Sequence, residues 1–195
     1  MLDYIKGEIT ELTPALVVIE IGGLGYISHI SLNTYSALNG LKECKLYVYE
    51  AIREDAHLLF GFLEKKERDL FLLLISVSGV GANTARMILS SLTTSELGII
   101  ITSGNSSALK TVKGIGAKTA ERIIIDLKDK VKISEETSVS TATQIVHSEA
   151  GKEAVSALVM LGFNQPASQK IVTKIVNNNP ELSVEQIIKN ALKML

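Results

Sequence analysis

Alternating apolar and polar residues predict a strand-rich segment over residues 1–62. β-Branched and aromatic residues recur there at strand spacing, and glycine clusters such as Gly22-Gly23 bound them. The runs that meet this description lie at residues 2–9, 16–21, 26–32, 45–50 and 58–62. About five short strands in so short a segment favour a small closed or partly open β-barrel, because closure removes exposed sheet edges.

From residue 63 the period of the apolar positions becomes helical, and the sequence then repeats itself. Residues 64–75 predict a helix with a charged start and a Leu-rich inner face. The segment 79–85, GVGANTA, returns 35 residues later as GIGAKTA at 114–120. Two copies are too few for a solenoid, so the pattern indicates a paired all-α module over residues 63–132.

The rest of the chain divides into a linker and a small helical domain. Residues 133–148 are close to half Ser and Thr without spaced apolar positions, which predicts a flexible linker. Residues 149–195 predict three short helices. The first ends at Gly162, the second runs from about Pro166 to about Asn177, and a Ser-Val-Glu-Gln capping box at 183–186 starts the third. The fold class is therefore multi-domain α+β.

The repeated Gly-x-Gly turn carries the candidate chemistry. A helix, a tight turn and a second helix leave several backbone N–H groups unpaired at a helix N-terminus, where the helix dipole also favours an anion. The intervening Val80 or Ile115 can plug between the helices and fix the turn. Such a site binds a phosphate without reading a base, and two sites in tandem would hold two backbone positions of a nucleic acid.

Other glycine-rich phosphate motifs fit the sequence less well. A dinucleotide fingerprint needs a third glycine, yet Thr84 and Thr119 stand at that position, and a helix precedes each turn where a strand is required. A Walker A motif fails because Ala117 separates Gly116 from Lys118. A single Gly-x-Gly would most often be a plain helix connection, but two copies in one register favour phosphate binding.

Net charge supports this interpretation only when it is counted by region. The whole chain has a net charge of −1, which alone would argue against a nucleic-acid partner. Residues 1–62 carry 4 basic and 8 acidic side chains, residues 63–133 carry 11 and 7, and residues 134–195 carry 5 and 6. The basic excess coincides with the second repeat, at Lys110, Lys113, Lys118, Arg122, Lys128, Lys130 and Lys132.

Composition also limits location and chemistry. The single Cys44 cannot form an internal disulfide, and no apolar run reaches the roughly 18 residues needed to span a bilayer. We therefore expect a cytoplasmic protein that makes no membrane contact. The three His residues fall in different regions and no carboxylate cluster is evident, so we expect no metal, no cofactor and no catalytic site.

With these residues in view, the whole chain resembles the RuvA family of bacterial Holliday-junction-binding proteins. The resemblance rests on the start of the chain, on the segment 18–26, on Arg53-Glu54-Asp55-Ala56 leading to Phe60-Gly61-Phe62, on both repeats and on 154–163. Its most specific part is GIGAKTAER at 114–122. The resemblance implies an OB-fold domain at 1–62, a tandem helix-hairpin-helix domain at 63–132 and a ubiquitin-associated-like (UBA-like) domain at 149–195.

The family also implies a function. RuvA-like chains form fourfold-symmetric tetramers, or two such tetramers face to face, that hold a four-way DNA junction open and flat. They load and stimulate the RuvB ATPase for branch migration in recombination and repair, and the RuvC nuclease cuts later. The expected DNA contacts are Gly79, Val80, Gly81, Asn83, Thr84, Arg86, Gly114, Ile115, Gly116, Lys118, Thr119 and Arg122.

The resemblance assigns two further sets of residues. Glu54 and Asp55 match an acidic pin at the junction centre, and Leu158, Leu161 and Phe163 match a patch that docks on RuvB. The sequence departs from familiar relatives at Asn83 and Ala117, where basic residues are common, so we expect the first hairpin to depend more on backbone N–H groups and Arg86. The alternative is a repair enzyme of the nuclease or glycosylase type, since such enzymes also use helix-hairpin-helix modules.

Overall fold

A computed structural model of the chain describes residues 1–136, 149–179 and 181–194. The chain divides into two compact units, Met1–Val139 and Ser140–Leu195. The first unit contains a β-barrel followed by a helical domain, and the second contains three helices. This architecture confirms the multi-domain α+β class predicted from the sequence.

Five strands form the closed barrel that the alternating pattern predicts. They are β1 (Tyr4–Leu12), β2 (Leu16–Ile21), β3 (Leu24–Ile30), β4 (Glu43–Ile52) and β5 (His57–Phe62). The barrel closes in the order β1-β2-β3-β5-β4; β3 and β5 pair in parallel and the other neighbours pair antiparallel. Alternate side chains fill its interior, among them Val17, Ile19 and Leu46, and none of these three is exposed to solvent.

A helix that the sequence did not predict, α1 (Leu32–Leu38), connects β3 to β4. The predicted strand at 26–32 is wrong at its end, because β3 stops at Ile30. Ser31 is the N-cap of α1, and its hydroxyl accepts a hydrogen bond from the Thr34 amide at 3.0 Å. A capping serine thus ends the strand and begins the helix.

The helical part of the first unit contains five helices. They are α2 (Lys65–Ile75), α3 (Ala82–Ser91), α4 (Thr94–Ser103), α5 (Ser106–Leu109) and α6 (Ala117–Glu136). Its apolar core is continuous with the end of the barrel, because Phe71 of α2 packs against Phe60 and Phe62 of β5 at ring-centroid distances of 5.3 and 4.9 Å. The end of the barrel at β5 therefore shares a buried cluster with the helices, whereas the barrel interior forms a second cluster of its own.

The boundary of the predicted linker needs a correction. Helix α6 continues to Glu136, four residues past the predicted end of the helical domain at residue 132. The apolar positions Ile123, Leu127 and Val131 keep a helical spacing and are buried, so the helix runs on toward the linker. The rest of the predicted linker, residues 137–148, lies outside the described residues.

The described residues of the second unit form three helices, as the sequence predicts. Its helices are α7 (Glu149–Met160), α8 (Gln165–Asn178) and α9 (Val184–Ala191). Gly162 ends the first helical segment with a φ of 96°, a conformation that favours glycine. The capping box at the start of α9 is confirmed, with Ser183 and Gln186 each bonded to the other's backbone N–H. In the described residues, no helix is both long and apolar enough to cross a membrane.

Candidate nucleic-acid interface

The two Gly-x-Gly segments adopt the same turn. In the first, the Val80 amide donates to the Val77 carbonyl at 3.0 Å, and Gly79 has a φ of 92°. In the second, the Ile115 amide donates to the Val112 carbonyl at 3.1 Å, and Gly114 has a φ of 90°. A positive φ at the third position of a four-residue turn is typical of type II and requires glycine. The 35-residue repeat in sequence is therefore a repeat in conformation.

The residue between the glycines anchors each turn. Val80 and Ile115 are only 5% and 6% exposed, and both belong to the core cluster of the helical domain. Their burial agrees with the expectation that these two side chains pack between the helices and fix the turn. Because they point inward, they can support a bound phosphate only by fixing the backbone around it.

Each turn leads into a helix, and no side chain of the described residues caps either helix start. Gly81 is the N-cap of α3, with φ −85° and ψ 168°, and no side chain bonds the amides of the first turn. The first bond across this helix start runs from the Ala85 amide to the Gly81 carbonyl at 2.9 Å. At the start of α6, the Ala120 amide likewise donates to the Gly116 carbonyl at 2.9 Å. Both helix starts therefore present unpaired donors together with the positive end of a helix dipole.

The second glycine of each turn lies beside open space. Gly81 and Gly116 do not have a positive φ, and an added Cβ at either position would meet no heavy atom within 4 Å. Neither backbone strain nor an internal neighbour therefore requires glycine there. A glycine beside open space and unpaired amides lets an external backbone approach closely.

The second hairpin surrounds its helix start with free cations. Lys118 and Arg122 are exposed on the first turns of α6, and their side chains make no hydrogen bond or ion pair with another residue of the described ranges. Lys113, inside the turn, and Lys110, just before it, are exposed as well. A bound phosphate at this helix start would lie among several ammonium and guanidinium groups.

The first hairpin lacks these cations. Its equivalents of Lys118 and Arg122, at an offset of 35 residues, are Asn83 and Met87. Asn83 is exposed and Met87 is 39% exposed, so both side chains are at the surface and neither is charged. Thr84 and its equivalent Thr119 are half-buried in the two helices. The two sites thus share donors and geometry but differ in charge.

Arg86, which the sequence analysis expects to contribute charge at the first hairpin, is half-buried beside the barrel. Its Nη1 donates to the Ile30 carbonyl at the end of β3, at 3.3 Å, and its Nε is buried. Arg86 also lies close enough to His29 to lower the pKa of that imidazole, after the larger effect of burial. Arg86 is equivalent to Glu121 and not to Arg122, so one position along the helix turns it toward the barrel.

The acidic pair Glu54 and Asp55 lies at the tip of the β4–β5 hairpin. The Arg53 amide donates to the Ala56 carbonyl at 2.8 Å and closes the loop. Both acidic side chains are exposed, and neither bonds another residue that the structure describes. The tip therefore presents two negative charges on a hairpin that the barrel fixes at its base.

The three side chains assigned to partner binding have different environments. Leu161 is 62% exposed, whereas Phe163 is partly buried against the core of the second unit. Leu158 is fully buried in that core, which corrects its assignment to a docking surface, because helical spacing places it inward. Met160, which the sequence analysis did not single out, is 86% exposed beside Leu161. The position of Met160 at the end of an apolar helix is the sequence signal that could have indicated its exposure.

Groups suited to catalysis are scattered through the described chain. Cys44 is buried in the barrel, and burial raises the pKa of its thiol, which disfavours the reactive thiolate. His57 lies 3.4 Å from Glu50, whose other oxygen accepts from the Leu2 amide. The residues described include no group of three or more His, Cys, Asp or Glu that could hold a metal ion.

Fold and site together define a DNA-binding protein with an OB-type barrel and tandem helix-hairpin-helix motifs.

Comparisons with known proteins identify the particular family. The chain matches family models for the RuvA N terminal domain over residues 1–61, the SAM-like helix-hairpin-helix tandem over 71–129 and the RuvA C-terminal domain over 149–195. The chain belongs to the RuvA family, as the resemblance predicted.

Full-length relatives are highly similar. The chain is 62% identical over 196 residues to the Holliday junction branch migration complex subunit RuvA of Azobacteroides pseudotrichonymphae. It is 60% identical over 196 residues to the protein of that name from Parabacteroides distasonis, and 55% identical over 201 residues to the one from Bacteroides thetaiotaomicron. Each comparison covers 100% of both chains.

Proposed function

We propose that this chain is the subunit of a branch migration complex that binds four-way Holliday junction DNA. It holds the junction open and flat and loads and stimulates the RuvB ATPase during homologous recombination and DNA repair. The observation that carries this proposal is the pair of identical, uncapped helix starts, each with a glycine that faces open space. The names of the full-length relatives support the same conclusion and not a repair enzyme.

Such a subunit recognises shape and not sequence. Backbone N–H groups and cations contact phosphates, which position a protein on DNA but carry no base information. Specificity then comes from the arrangement of several phosphate sites in space. A homotetramer, or two tetramers face to face, offers one subunit to each arm of a four-way junction, and RuvC would act on the same complex afterwards. We place this activity in the cytoplasm.

The chain itself is proposed to be non-catalytic, and one experiment tests this together with binding. The purified protein is mixed with labelled four-way junction and magnesium, without partner proteins. We expect a shifted but intact junction and much weaker binding to a linear duplex of equal length. Cleavage of the labelled strands would instead identify a repair nuclease, and release of a base would identify a glycosylase.

The exposed acidic tip is proposed to act as a pin at the junction centre. Carboxylates near the crossover repel phosphates, which keeps duplex DNA out and helps to separate strands as they exchange partners. The double variant Glu54→Gln with Asp55→Asn should retain junction binding, bind linear duplex several-fold more tightly and change the rate of RuvB-driven migration. Unchanged duplex affinity and unchanged migration would reject the pin.

The second unit is proposed to dock on RuvB through an apolar patch formed by Met160, Leu161 and Phe163. The first two are exposed at the end of α7, and exposed adjacent apolar side chains often mark a protein contact. Met160→Ser with Leu161→Ser should spare junction binding and reduce stimulation of the RuvB ATPase. Leu192→Ser, which alters an exposed leucine of the same unit, serves as the matched control.

A further inference from the structure

Helix α1 of the barrel makes a set of hydrogen bonds to the first hairpin that the second hairpin lacks. The side-chain amide of Asn33 donates from Nδ2 to the Leu89 carbonyl at 2.7 Å and to the Leu92 carbonyl at 3.1 Å. Leu92 is the C-cap of α3, so Asn33 satisfies two of the carbonyls that a helix leaves unpaired at its C-terminus. A residue of the barrel thereby caps a helix of the neighbouring domain.

A second contact lies directly beside the first, between the neighbouring residues Leu32 and Ser90. The Leu32 amide donates to the Ser90 hydroxyl at 3.1 Å, and that hydroxyl donates to the Arg86 carbonyl at 2.8 Å. The Arg86 side chain in turn donates to the barrel at Ile30, as described above. Helix α3 is therefore held along one side and at its C-terminus.

The same short helix is also attached to α2. Glu67 of α2 is 6% exposed and accepts hydrogen bonds from the hydroxyls of Ser31 and Thr34, at 2.5 and 2.6 Å. Helix α1 thus connects the barrel to both helices of the first hairpin. Buried bonds of this kind have two well-defined partners and fix orientation more than a purely apolar contact does.

The geometry of α3 makes its C-terminal attachment important for its N-terminus. The helix has 10 residues and so spans about 15 Å, with the first phosphate site at the end opposite to Asn33. A tilt of about 10° around the attached end would move that site by about 2.6 Å, far beyond the tolerance of roughly 0.5 Å of a hydrogen bond. A small change of angle at the C-terminus of α3 is therefore amplified at its first turn.

We propose that Asn33 is a positioning residue for junction recognition, which fixes the angle between the first phosphate site and the barrel that carries the acidic tip. It sets the preference for a four-way junction over linear duplex and does not touch DNA itself. The proposal rests on the function proposed above. A linear duplex can be held by few phosphate contacts, whereas a junction requires all sites in one arrangement, so loss of the angle affects the junction most.

The test uses Asn33→Asp in the full-length protein. This change keeps the size of the side chain but replaces both donors with an oxygen that faces two carbonyls at the negative end of α3. Asn39→Asp is the matched control, because Asn39 lies at the C-cap of the same helix, is exposed and receives the same charge. Affinities for a four-way junction and for a linear duplex of equal length are measured in parallel.

We expect Asn33→Asp to lower the ratio of junction to duplex affinity about five- to tenfold, whereas Asn39→Asp leaves the ratio within about twofold of the unmodified protein. A parallel fall in both affinities, or an unchanged ratio in a folded Asn33→Asp variant, would overturn the proposal. If this variant does not fold, Ser90→Ala, which removes the bridging hydroxyl without adding charge, must lower the ratio instead, and an unchanged ratio there would overturn the proposal.

A measurement without DNA separates this inference from the proposed function. Spin labels at Asp55→Cys and Asn83→Cys, in a Cys44→Ala background and diluted with unlabelled chain, report the distance between the acidic tip and the first phosphate site. The distance distribution should broaden or shift with Asn33→Asp and not with Asn39→Asp. An unaltered distribution would refute the positioning role, whereas an altered one in a protein without junction preference would refute only the proposed function.

Discussion

The two helix-hairpin-helix motifs share the conformation of their turns and differ in their surface charge and in their bonds to the barrel. Both turns have the same hydrogen bond, the same positive φ at the first glycine and the same buried plug. The second has exposed Lys118 and Arg122 beside its helix start, whereas the first has Asn83 and Met87. Conversely, the first is bonded to the barrel through Asn33 and Arg86.

This difference indicates a division of roles within one duplicated motif. Cations that no internal partner engages contribute to DNA affinity and to its salt dependence. Under the positioning role proposed for Asn33, hydrogen bonds to the barrel contribute little to affinity but determine where a phosphate must lie relative to the acidic tip. A repeated motif can therefore supply electrostatic attraction in one copy and fixed geometry in the other.

The largest effect should come from removing the cations of the second hairpin. Lys118→Ala with Arg122→Ala is expected to weaken junction binding at least tenfold. Each lost phosphate contact lowers the number of counterions that binding releases, and the loss occurs in every subunit. The equivalent pair in the first hairpin, Asn83→Ala with Met87→Ala, should weaken it less than about threefold. The reverse ranking in a titration would contradict the division of roles.

The salt dependence of junction affinity is a second measurement on the same variants. If a tetramer makes about eight phosphate contacts, the slope of log affinity against log salt should be near −7 in the unmodified protein. The Lys118 and Arg122 double variant should flatten this slope, and the Asn83 and Met87 variant should not. A slope near −2 in the unmodified protein would mean that most of the hairpins do not engage DNA.

Substitution of the two glycines of one turn should have different effects on stability and on junction binding. Gly114→Ala forces an alanine into positive φ and should destabilise the protein by about 1–2 kcal/mol. Gly116→Ser should preserve or raise stability, because serine is a good N-cap, yet weaken junction binding, because its hydroxyl occupies the amides meant for phosphate. Urea unfolding and junction titration of both variants measure the two effects. Loss of stability without loss of binding in Gly116→Ser would contradict the anion site.

Adding charge to the first hairpin should make the two motifs more alike. Asn83→Lys with Met87→Arg copies the second hairpin into the first, where both side chains are already at the surface. Affinity should rise about threefold for junction and at least as much for linear duplex, so the preference for junctions should not improve. A selective gain for the junction would show that charge at this hairpin, and not its anchoring, determines specificity.

The smallest effect concerns the buried carboxylate that anchors the first hairpin. Burial raises the pKa of Glu67 above its ordinary value of 4.5, and this outweighs the hydroxyls of Ser31 and Thr34 that favour the ionised form. The folded state therefore holds the proton more tightly than the unfolded state, and the stability contributed by that proton is lost as pH rises above 4.5 and through the folded pKa.

Glu67→Gln should remove this dependence. The variant should match the unmodified protein at low pH and become more stable relative to it as pH rises, by up to about 1 kcal/mol at pH 8. Urea midpoints at several pH values measure the difference, with Glu121→Gln as an exposed control. Parallel pH profiles for Glu67→Gln and the unmodified protein would show that burial of the charge has no cost here.

Periodicity and repetition were sufficient to predict most of the fold. Strand alternation predicts a barrel because its two faces see core and solvent, and the 35-residue repeat predicts a shared turn because glycine at positive φ is a local requirement. Helix α1 was missed because it is short and its decisive signal, the capping Ser31, lies within the alternating residues 26–32, which continue the strand pattern.

The parts of the site that the sequence could not predict depend on tertiary contacts. Arg86 closely follows a glycine motif in the sequence, and only packing against β3 brings its Nη1 to the Ile30 carbonyl. Leu158 and Leu161 are both apolar residues near the end of α7, and one is buried while the other is exposed. Composition does not distinguish such pairs, since helix rotation against a neighbour decides which face is covered.

The central claim is that this protein recognises the shape of a four-way junction through paired phosphate sites. A competition titration at fixed salt tests it most directly, with two four-way junctions of unrelated arm sequence and a linear duplex of equal length. The account predicts that both junctions bind with affinities within about threefold of each other and at least about 100-fold more tightly than the duplex. Equal binding of duplex and junction, or a preference that follows arm sequence, would contradict it.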